Sequence, residues 1–467
     1  MAVSVAESTT ELKSILPSLD KIILDKALEW GRSCYKAILE ELDTVMAESK
    51  GKLQVEHRRG VWYQTCLGAV KVRRRQYRGG DGKGRCLLDE CMGMSRYSHV
   101  SMSVRKLALE MASTMPYRRS AEVLHKATAI DLAHQTIWRL MGKAADPYLD
   151  KAQREIELFM ETGQIPESEN RRVTRLMVEA DGVMVSLQRE KERKAEVKLG
   201  IAYEGWARVS KDRYRTVNKT CFAAVADGES FWAGMTLKLH GKYDLANVKD
   251  TIVGGDGAGW VKEGVGYIGG RFQLDRYHLN RELTAALGCD RDTKRKIWQA
   301  CKSGERDLSL QLLAEAASKA KGEQSTRLAK AYHYMWDNRS GLIDYRLRLG
   351  DQTNGLRRTG AMEGNVDKLV VRRMKNQGMS WSLKGIRRLL CVRFLVLEGR
   401  LAEWLNNRHV PEITIHAPQK QIRRIVTNLS FHEPDDWLNA ALPALQGPHA
   451  GRSWVSVLKN ICEVHTI

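Results

Sequence analysis

Residues 248–281 read VKDTIVGGDGAGWVKEGVGYIGGRFQLDRYHLNR, and this stretch decides the fold. It opens as a short apolar strand and runs into Gly254-Gly255-Asp256-Gly257. A second strand follows and ends in Leu274-Asp275-Arg276-Tyr277-His278. A carboxylate set among glycines at the end of a buried strand stands at a sheet edge, where nothing bulky keeps a cation away. Further carboxylates on neighbouring elements would complete such a site.

Upstream, the pattern is strand-rich from residue 173. Residues 174–187 read as a strand, Asp181-Gly182, and more strand. A charged excursion, QREKERKAE, separates them from a second apolar run, residues 197–203. Consecutive antiparallel strands are the simplest reading, and Asp-Gly alone equally suits a hairpin turn. Residues 217–247 add strand-like and turn-like pieces around Trp232. Downstream, residues 282–348 are mostly helical and charged, and 349–362 form a Gly-rich, basic loop. A helix begins near Glu363, and another runs from Met379-Ser380-Trp381-Ser382 to about Asn407, with Trp381 as a core anchor in preference to a base-stacking wedge. The tail from Pro411 is partly irregular.

The N-terminal third has a different character. Residues 11–49 carry helical periodicity. At about residue 57 the pattern turns to β, with Gly68 between two runs and a turn at Gly79-Gly80-Asp81-Gly82. Arg73, Arg74 and Arg75 crowd one of these strands, which is either a charge-protected edge or a phosphate-contacting ribbon. Helical periodicity returns over residues 103–145. A helix over 120–126, a turn near 127–130 and a helix over 133–141 have helix-turn-helix spacing, although a plain helical hairpin reads the same way. His134, Gln135, Thr136 and Arg139 lie at the front of the second helix, where base edges are read. A helix over 148–162 and the polar connector GQIPESENRR close this part of the chain.

The whole chain has 467 residues, with 76 Lys and Arg against 56 Asp and Glu, a net charge of +20. That excess favours a polyanionic partner, nucleic acid first. Nine cysteines include no CxxC pair, and Cys86 and Cys91 lack a partner pair at zinc-finger spacing, which suits reduced thiols in a cytoplasmic protein. The start, MAVSVAESTTELKS, has no signal-peptide pattern. No apolar run suits a membrane span, since even LLCVRFLVL at 389–397 is broken by Arg393.

Three carboxylates stand out: Asp181 in a strand, Asp256 at a strand end and Glu363 at a helix start. That is the arrangement by which an RNase H-like fold holds two divalent metals. Two ions about 3.5–4 Å apart activate an attacking oxygen and stabilise the leaving oxygen of a phosphodiester displacement. Oxygen ligands suit Mg²⁺ or Mn²⁺. Each residue also has a duller reading, as a turn aspartate or a helix-start acid. Glu282 and Asp367 compete with Glu363 for the third place.

The segments at 65–90 (TCLGAVKVRRRQYRGGDGKGRCLLDE), 179–185 (EADGVMV), 197–206 (VKLGIAYEGW), 254–260 (GGDGAGW), 272–283 (FQLDRYHLNREL) and 372–385 (RRMKNQGMSWSLKG) carry a resemblance. They resemble bacterial insertion-sequence transposases of the Lre type, distant relatives of the Mutator-like DDE transposases, over most of the chain. The resemblance implies a DDE catalytic domain, with catalytic and metal-binding roles on Asp181, Asp256 and Glu363. Asp275-Arg276-Tyr277-His278 resembles the Cys/Asp-x-x-His signature of Mutator-like enzymes, which gives Asp275 and His278 supporting roles beside the site. Asn280 and Arg281 would face DNA. Arg372, Arg373 and Lys375, and further on Lys384, Arg387 and Arg388, would contact phosphates near the scissile bond.

The expected architecture is α/β and multidomain, an RNase H-like core of mixed sheet flanked by helices and interrupted by an all-helical insertion. Its parts are a helical region (1–56), a basic β-hairpin (57–100), a helix-turn-helix-like region (101–165), the first part of the core (171–281), the insertion (282–350), the second part of the core (351–410) and a tail (411–467). The expected activity is metal-dependent DNA cleavage and strand transfer with two Mg²⁺ or Mn²⁺ ions. Its partners are double-stranded DNA and a second copy of the chain, or a higher oligomer, at the bacterial nucleoid and away from any membrane. A nuclease without strand transfer, or an inactive DNA-binding derivative, are the alternatives.

Overall fold

The computed structural model describes residues 19–49, 53–78, 84–92, 99–165, 167–211, 213–350, 356–376 and 378–407. The expected helix over 11–18, the Gly79–Gly82 turn, residues 351–355 of the basic loop and the tail from 411 lie outside the described residues. The chain divides into two units. One comprises residues 1–108, 121–133 and 402–467, and the other 109–120 and 134–401.

In the first unit, α1 (Leu19–Ser49) accompanies a hairpin of β1 (Gln54–Thr65) and β2 (Gly68–Arg78), with a short β3 (Gly84–Arg85) on the other side of β2. Alternation along β2 buries Val70 and Val72 and leaves Lys71 and Arg73 exposed, and after a break in phase Tyr77 is buried too. Those apolar residues share a core with Leu39 and Met46 of α1 and with Leu87 and Leu88 of α2 (Leu87–Cys91). Tyr77 donates to the buried Asp43 at 3.1 Å, and Tyr63 to Asp89 at 3.1 Å. The hairpin begins earlier than expected, and residues 54–60 are exposed throughout. α3 (Met102–Thr114) and α4 (Tyr117–Ala127) contribute to both units.

The second unit is built on a five-stranded mixed sheet of order β10-β9-β4-β5-β8. β4 (Arg175–Ser186), β5 (Lys194–Tyr203) and β8 (Thr220–Ala224) pair antiparallel, as expected for consecutive strands. A two-stranded excursion, β6 (Trp206–Ser210) and β7 (Arg213–Thr216), interrupts them. On the other side of β4, β9 (Asp250–Gly255) and β10 (Arg271–Leu274) run parallel to it. β4 is buried on both faces in its first half, as a central strand covered on both sides must be.

One sheet face, with Leu176, Val178 and Ala180, packs on Phe231, Trp232 and Met235 of α6 (Gly228–His240) and on Val261 of α7 (Gly259–Ile268). The same core takes in Leu279, Ile297, Leu310 and Met335 from α8 (Arg276–Leu287), α9 (Arg291–Ser303), α10 (Arg306–Lys319) and α11 (Glu323–Asp337). The opposite face receives a helical run made of α12 (Met362–Val366), a π turn (Asp367–Val371) and α13 (Arg372–Met374). α14 (Leu383–Leu397) and α15 (Leu401–Asn406) follow, separated at Gly399.

Three expectations about elements need correction. α6 lies where strand-like and turn-like pieces were read. It is buried on most of its sides, so its sequence shows no amphipathic period. α7 connects two strands read as neighbours without a helix; parallel pairing demands such a crossover, and its glycines hide it. α5 (His134–Thr162) is one helix running through Pro147, where two were read. Proline removes a backbone donor there, but Arg388 of α14 grips the neighbouring Asp146 at 2.6 Å, and tertiary packing prevails. Among the described residues, no helix is long and apolar enough to cross a membrane, and none of the eight described cysteines is in a disulfide.

Candidate active site

Register places the acidic groups. Ala180 pairs with Gly255 across β4 and β9, and Gly255 with Leu274 across β9 and β10. The residue after each of the three is an aspartate: Asp181, Asp256 and Asp275. Neighbouring strands lie about 4.8 Å apart, so three aspartates leave three parallel strands side by side. Asp256 and Asp275 do so at the strands' carboxyl ends, where open α/β sheets bind ligands, and Asp181 stands beside them within β4.

The three are not equivalent. Asp275 is buried, and its carboxylate accepts the Tyr277 backbone N–H at 2.8 Å, capping α8. Its own N–H donates to the Gly255 carbonyl at 2.8 Å. Asp256 accepts the Ala258 N–H at 3.0 Å, while Tyr334 of α11 donates to its backbone carbonyl at 2.6 Å. Asp181 lies inside β4, not in a turn, and accepts the Gly182 N–H at 2.8 Å. Burial pushes the Asp181 carboxyl up to about 6, and the charges of Asp256 and Asp275 add to the effect. The Gly182 N–H and His278 oppose it. His278 is half-buried in the first turn of α8, with its ring edge-on to Tyr277.

A carboxylate whose pKa is raised by burial and by acidic neighbours is relieved by a cation, and carboxylate oxygens are the donors hard divalent ions prefer. Asp181 and Asp256 thus fit Mg²⁺ or Mn²⁺ as a pair of ligands. Glu363 is exposed in the first turn of α12. Among the described residues, no three His, Cys, Asp or Glu side chains stand together as a metal-holding group. Of the competitors of Glu363, Glu282 lies 3.6 Å from Arg281 and, with Asp256, acts on Tyr334, and Asp367 lies 2.7 Å from Arg372.

Sequence reasoning missed three features around this site. Glu179, two residues before Asp181, is 2% exposed, and its carboxylate accepts the N–H groups of Gly360, Ala361 and Met362 and the hydroxyl of Tyr203. Burial pushes its carboxyl up and those four donors pull the other way. The only signal for it was its place in EADGVMV. Asn338, at the end of α11, is 2% exposed and leaves its Oδ1 without a hydrogen-bond partner among the described residues. It lies against Gly257, where a Cβ would come within 2.4 Å of that oxygen. Asp344 gathers Arg346 at 2.8 Å, Arg276 at 3.1 Å and Arg358 at 3.7 Å, so cations outnumber the acid there.

The basic candidates scatter. Arg73, Gln135, Arg139, Arg281, Arg372 and Lys375 are exposed. Arg74 pairs with Asp89, and Arg75 lies 3.6 Å from Asp43. Arg373 is corrected: it is 1% exposed, and its guanidinium donates twice to the Ala112 carbonyl at 3.0 Å and lies over Trp381. Arg388 is likewise buried against Asp146. Both hold helices together and are unavailable to phosphate. Trp381 is half-buried, with its indole N–H on the Met374 carbonyl at 2.9 Å and its ring against Arg373.

A family model described as Uncharacterised protein family (UPF0236) matches residues 11–408. A UPF0236 protein of Caldanaerobacter subterraneus subsp. tengcongensis is 25% identical over 407 residues, covering 85% of this chain and 81% of the relative. A second from the same organism, whose name joins eleven locus designations, is 25% identical with the same coverage. A "UPF0236 protein in vanSb 3'region" of Streptococcus gallolyticus is 25% identical over 354 residues, covering 73% of this chain and 74% of the relative.

Proposed function

The chain belongs to the UPF0236 family, and we propose that it is a DNA transposase that cleaves and joins DNA by metal-dependent phosphoryl transfer on an RNase H-like core. The observation that carries the reading is the register that sets Asp181 and Asp256 side by side on adjacent parallel strands. The sheet order supports it. Three antiparallel strands followed by two parallel ones beside the first is the order expected of an RNase H-like core, and Glu363 follows on a helix against that sheet. The resemblance to Lre-type transposases bears on the same residues.

Divalent cations, Mg²⁺ or Mn²⁺, would supply the activation of the attacking oxygen and the stabilisation of the leaving oxygen. Asp181 and Asp256 would hold them, with Glu363 approaching from α12. Asp275 caps α8 and so sets where His278 stands. No nucleophilic side chain is required: water cleaves the phosphodiester, and the freed 3′-hydroxyl attacks the target strand.

Two further observations support the reading. A relative whose name joins eleven locus designations is what a mobile element leaves in a genome. The net charge of +20, the exposed arginines of β1 and β2, and the exposed Gln135 and Arg139 at the front of α5 suit DNA. On this reading α4 and the start of α5 act as a helix-turn-helix, and two copies of the chain bring two element ends together.

The test is strand transfer with a labelled element end, a plasmid target and Mg²⁺. Joined product that disappears in Asp181→Asn and Asp256→Asn is the expected result. Cleaved but unjoined DNA would make the protein a nuclease of the same fold. Binding without cleavage would make it a DNA-binding derivative.

A further inference from the structure

We infer that Glu179 is a positioning residue: it fastens the start of α12, and with it Glu363, to the strand that carries Asp181. The inference rests on the transposase reading for the importance of Glu363, but the fastening itself is independent of that reading.

The geometry is specific. Glu179 and Asp181 are two apart on β4, so their side chains share one face of the sheet, about 7 Å apart along the strand. On that face the Glu179 carboxylate meets three consecutive backbone donors, Gly360 at 3.0 Å, Ala361 at 3.3 Å and Met362 at 2.9 Å. Tyr203, the register neighbour of Met177 on β5, closes the fourth side with its hydroxyl. Every one of these partners is a donor, so the carboxylate is enclosed by groups that all need an acceptor.

These N–H groups belong to the start of α12, whose first turn has no side-chain cap of its own. The first N–H groups of a helix lack intrahelical partners and must find others. Here the partner comes from a strand some 180 positions earlier in the chain. That separation is the reason the contact matters. α12 follows β10 only after four long helices, so no short connection holds it to the sheet. Glu363 is the next residue after Met362, the last of the three donors.

A second observation points the same way. Gly254 is the register partner of Glu179 on β9. A Cβ there would come within 3.2 Å of Glu179 Cγ and 3.3 Å of Thr359 Cγ2. The glycine leaves room for the carboxylate and for the segment leading into α12. The sheet is therefore shaped on two strands to receive this one contact, and burying a carboxylate is otherwise costly.

The experiment uses the full-length chain and Glu179→Gln, which keeps the shape and replaces one acceptor oxygen with a donor. Hydrogen–deuterium exchange is followed at residues 360–362, with the strands β4 and β9 as internal reference. Exchange there is expected to rise about tenfold or more while the strands keep their protection. In the strand-transfer assay, the rate is expected to fall about 10–100-fold and half-saturating Mg²⁺ to rise, with DNA affinity unchanged. Adding Glu179→Gln to Glu363→Gln should cost nothing more, because both act through one group. Unchanged exchange at 360–362, or an undiminished further loss in the double variant, would overturn the inference. If the wild-type protein cleaves no DNA, the transposase reading falls, and the exchange measurement still decides whether Glu179 holds α12. If Glu179→Gln does not fold, Tyr203→Phe takes its place. It removes one of the four donors, and a smaller rise in exchange at the same three amides is expected. No rise would overturn the inference.

Discussion

Asp181 and Asp256 stand one step beyond the same register pair, Ala180 and Gly255, on adjacent parallel strands. The pairing forces two like charges together in a partly buried place, and the fold bears the cost. Asp181 binds a proton more tightly in the folded chain, where burial raises it from 3.8 to about 6, than in the unfolded chain. Unfolding therefore releases a proton between those values, and stability falls as pH rises through that window. The cost is fully present above pH 6 and amounts to at most about 3 kcal/mol. Asp181→Asn is expected to raise the melting temperature at pH 8 and to leave it unchanged near pH 3, while abolishing strand transfer. Equal melting temperatures at pH 8 would contradict a carboxylate held at a cost by its burial and its acidic neighbours.

The same raised carboxyl predicts how the metal acts. Mg²⁺ competes with the proton on Asp181, so it should stabilise the wild-type protein more at pH 8 than at pH 5. Asp181→Asn and Asp256→Asn should each lose most of that stabilisation. Thermal melts with and without Mg²⁺ at both pH values measure it.

Gly257 tests how tightly the loop after β9 is held. Its φ of +93° disfavours any side chain, and an added Cβ would collide with Asn338. Gly257→Ala should destabilise the fold by about 1–3 kcal/mol. Because the strain falls beside Asp256, the cleavage rate should drop by more than the loss of folded protein explains. Denaturant unfolding together with rate measurements at low temperature separates the two effects.

Arg373 separates structural from DNA-contacting arginines. Its guanidinium is buried on the Ala112 carbonyl, so Arg373→Ala leaves that oxygen without its donors. A loss of about 2–4 kcal/mol is expected. DNA affinity at temperatures where the variant is folded should not change.

The sequence announced the site better than its support. Asp181 and Asp256 were legible because both sit at changes of pattern, an Asp-Gly within an apolar run and an aspartate among glycines. The central strands were legible for the same reason. α6 and α7 were not: a helix buried on most sides, as α6 is, carries no period of its own, and in α7 the period runs through Gly264, whose place between Val261 and Ile268 hides it. Arg373 and Glu179 show the other limit. Each is a charged residue with a buried partner far away in the chain, and local pattern says nothing about partners brought by folding. Arg373 was therefore read as a surface cation, and Glu179 passed unnoticed within the segment that also carries Asp181.

The β1–β2 ribbon yields the last prediction. Arg58 is paired with Arg75, Arg59 with Arg74, and Gly60 with Arg73 across the hairpin. Like charges directly opposite one another destabilise a ribbon. Asp89 and Asp43 relieve Arg74 and Arg75, and among the described residues no acidic side chain pairs with the guanidinium of Arg58, Arg59 or Arg73. Residues 58 and 59 lie on a stretch exposed along its whole length, so truncating them removes repulsion without opening a core. A chain with Arg58→Ala, Arg59→Ala and Arg73→Ala should thus be as stable as the wild type or slightly more so. If the ribbon contacts phosphates, the same chain should bind duplex DNA more weakly, and its plot of log affinity against log salt should be shallower by about three units, one for each arginine that no longer neutralises a phosphate. A weaker affinity with the same slope would mean that the arginines act on the shape of the ribbon and not on phosphate. An unchanged affinity would move the DNA interface away from this ribbon altogether.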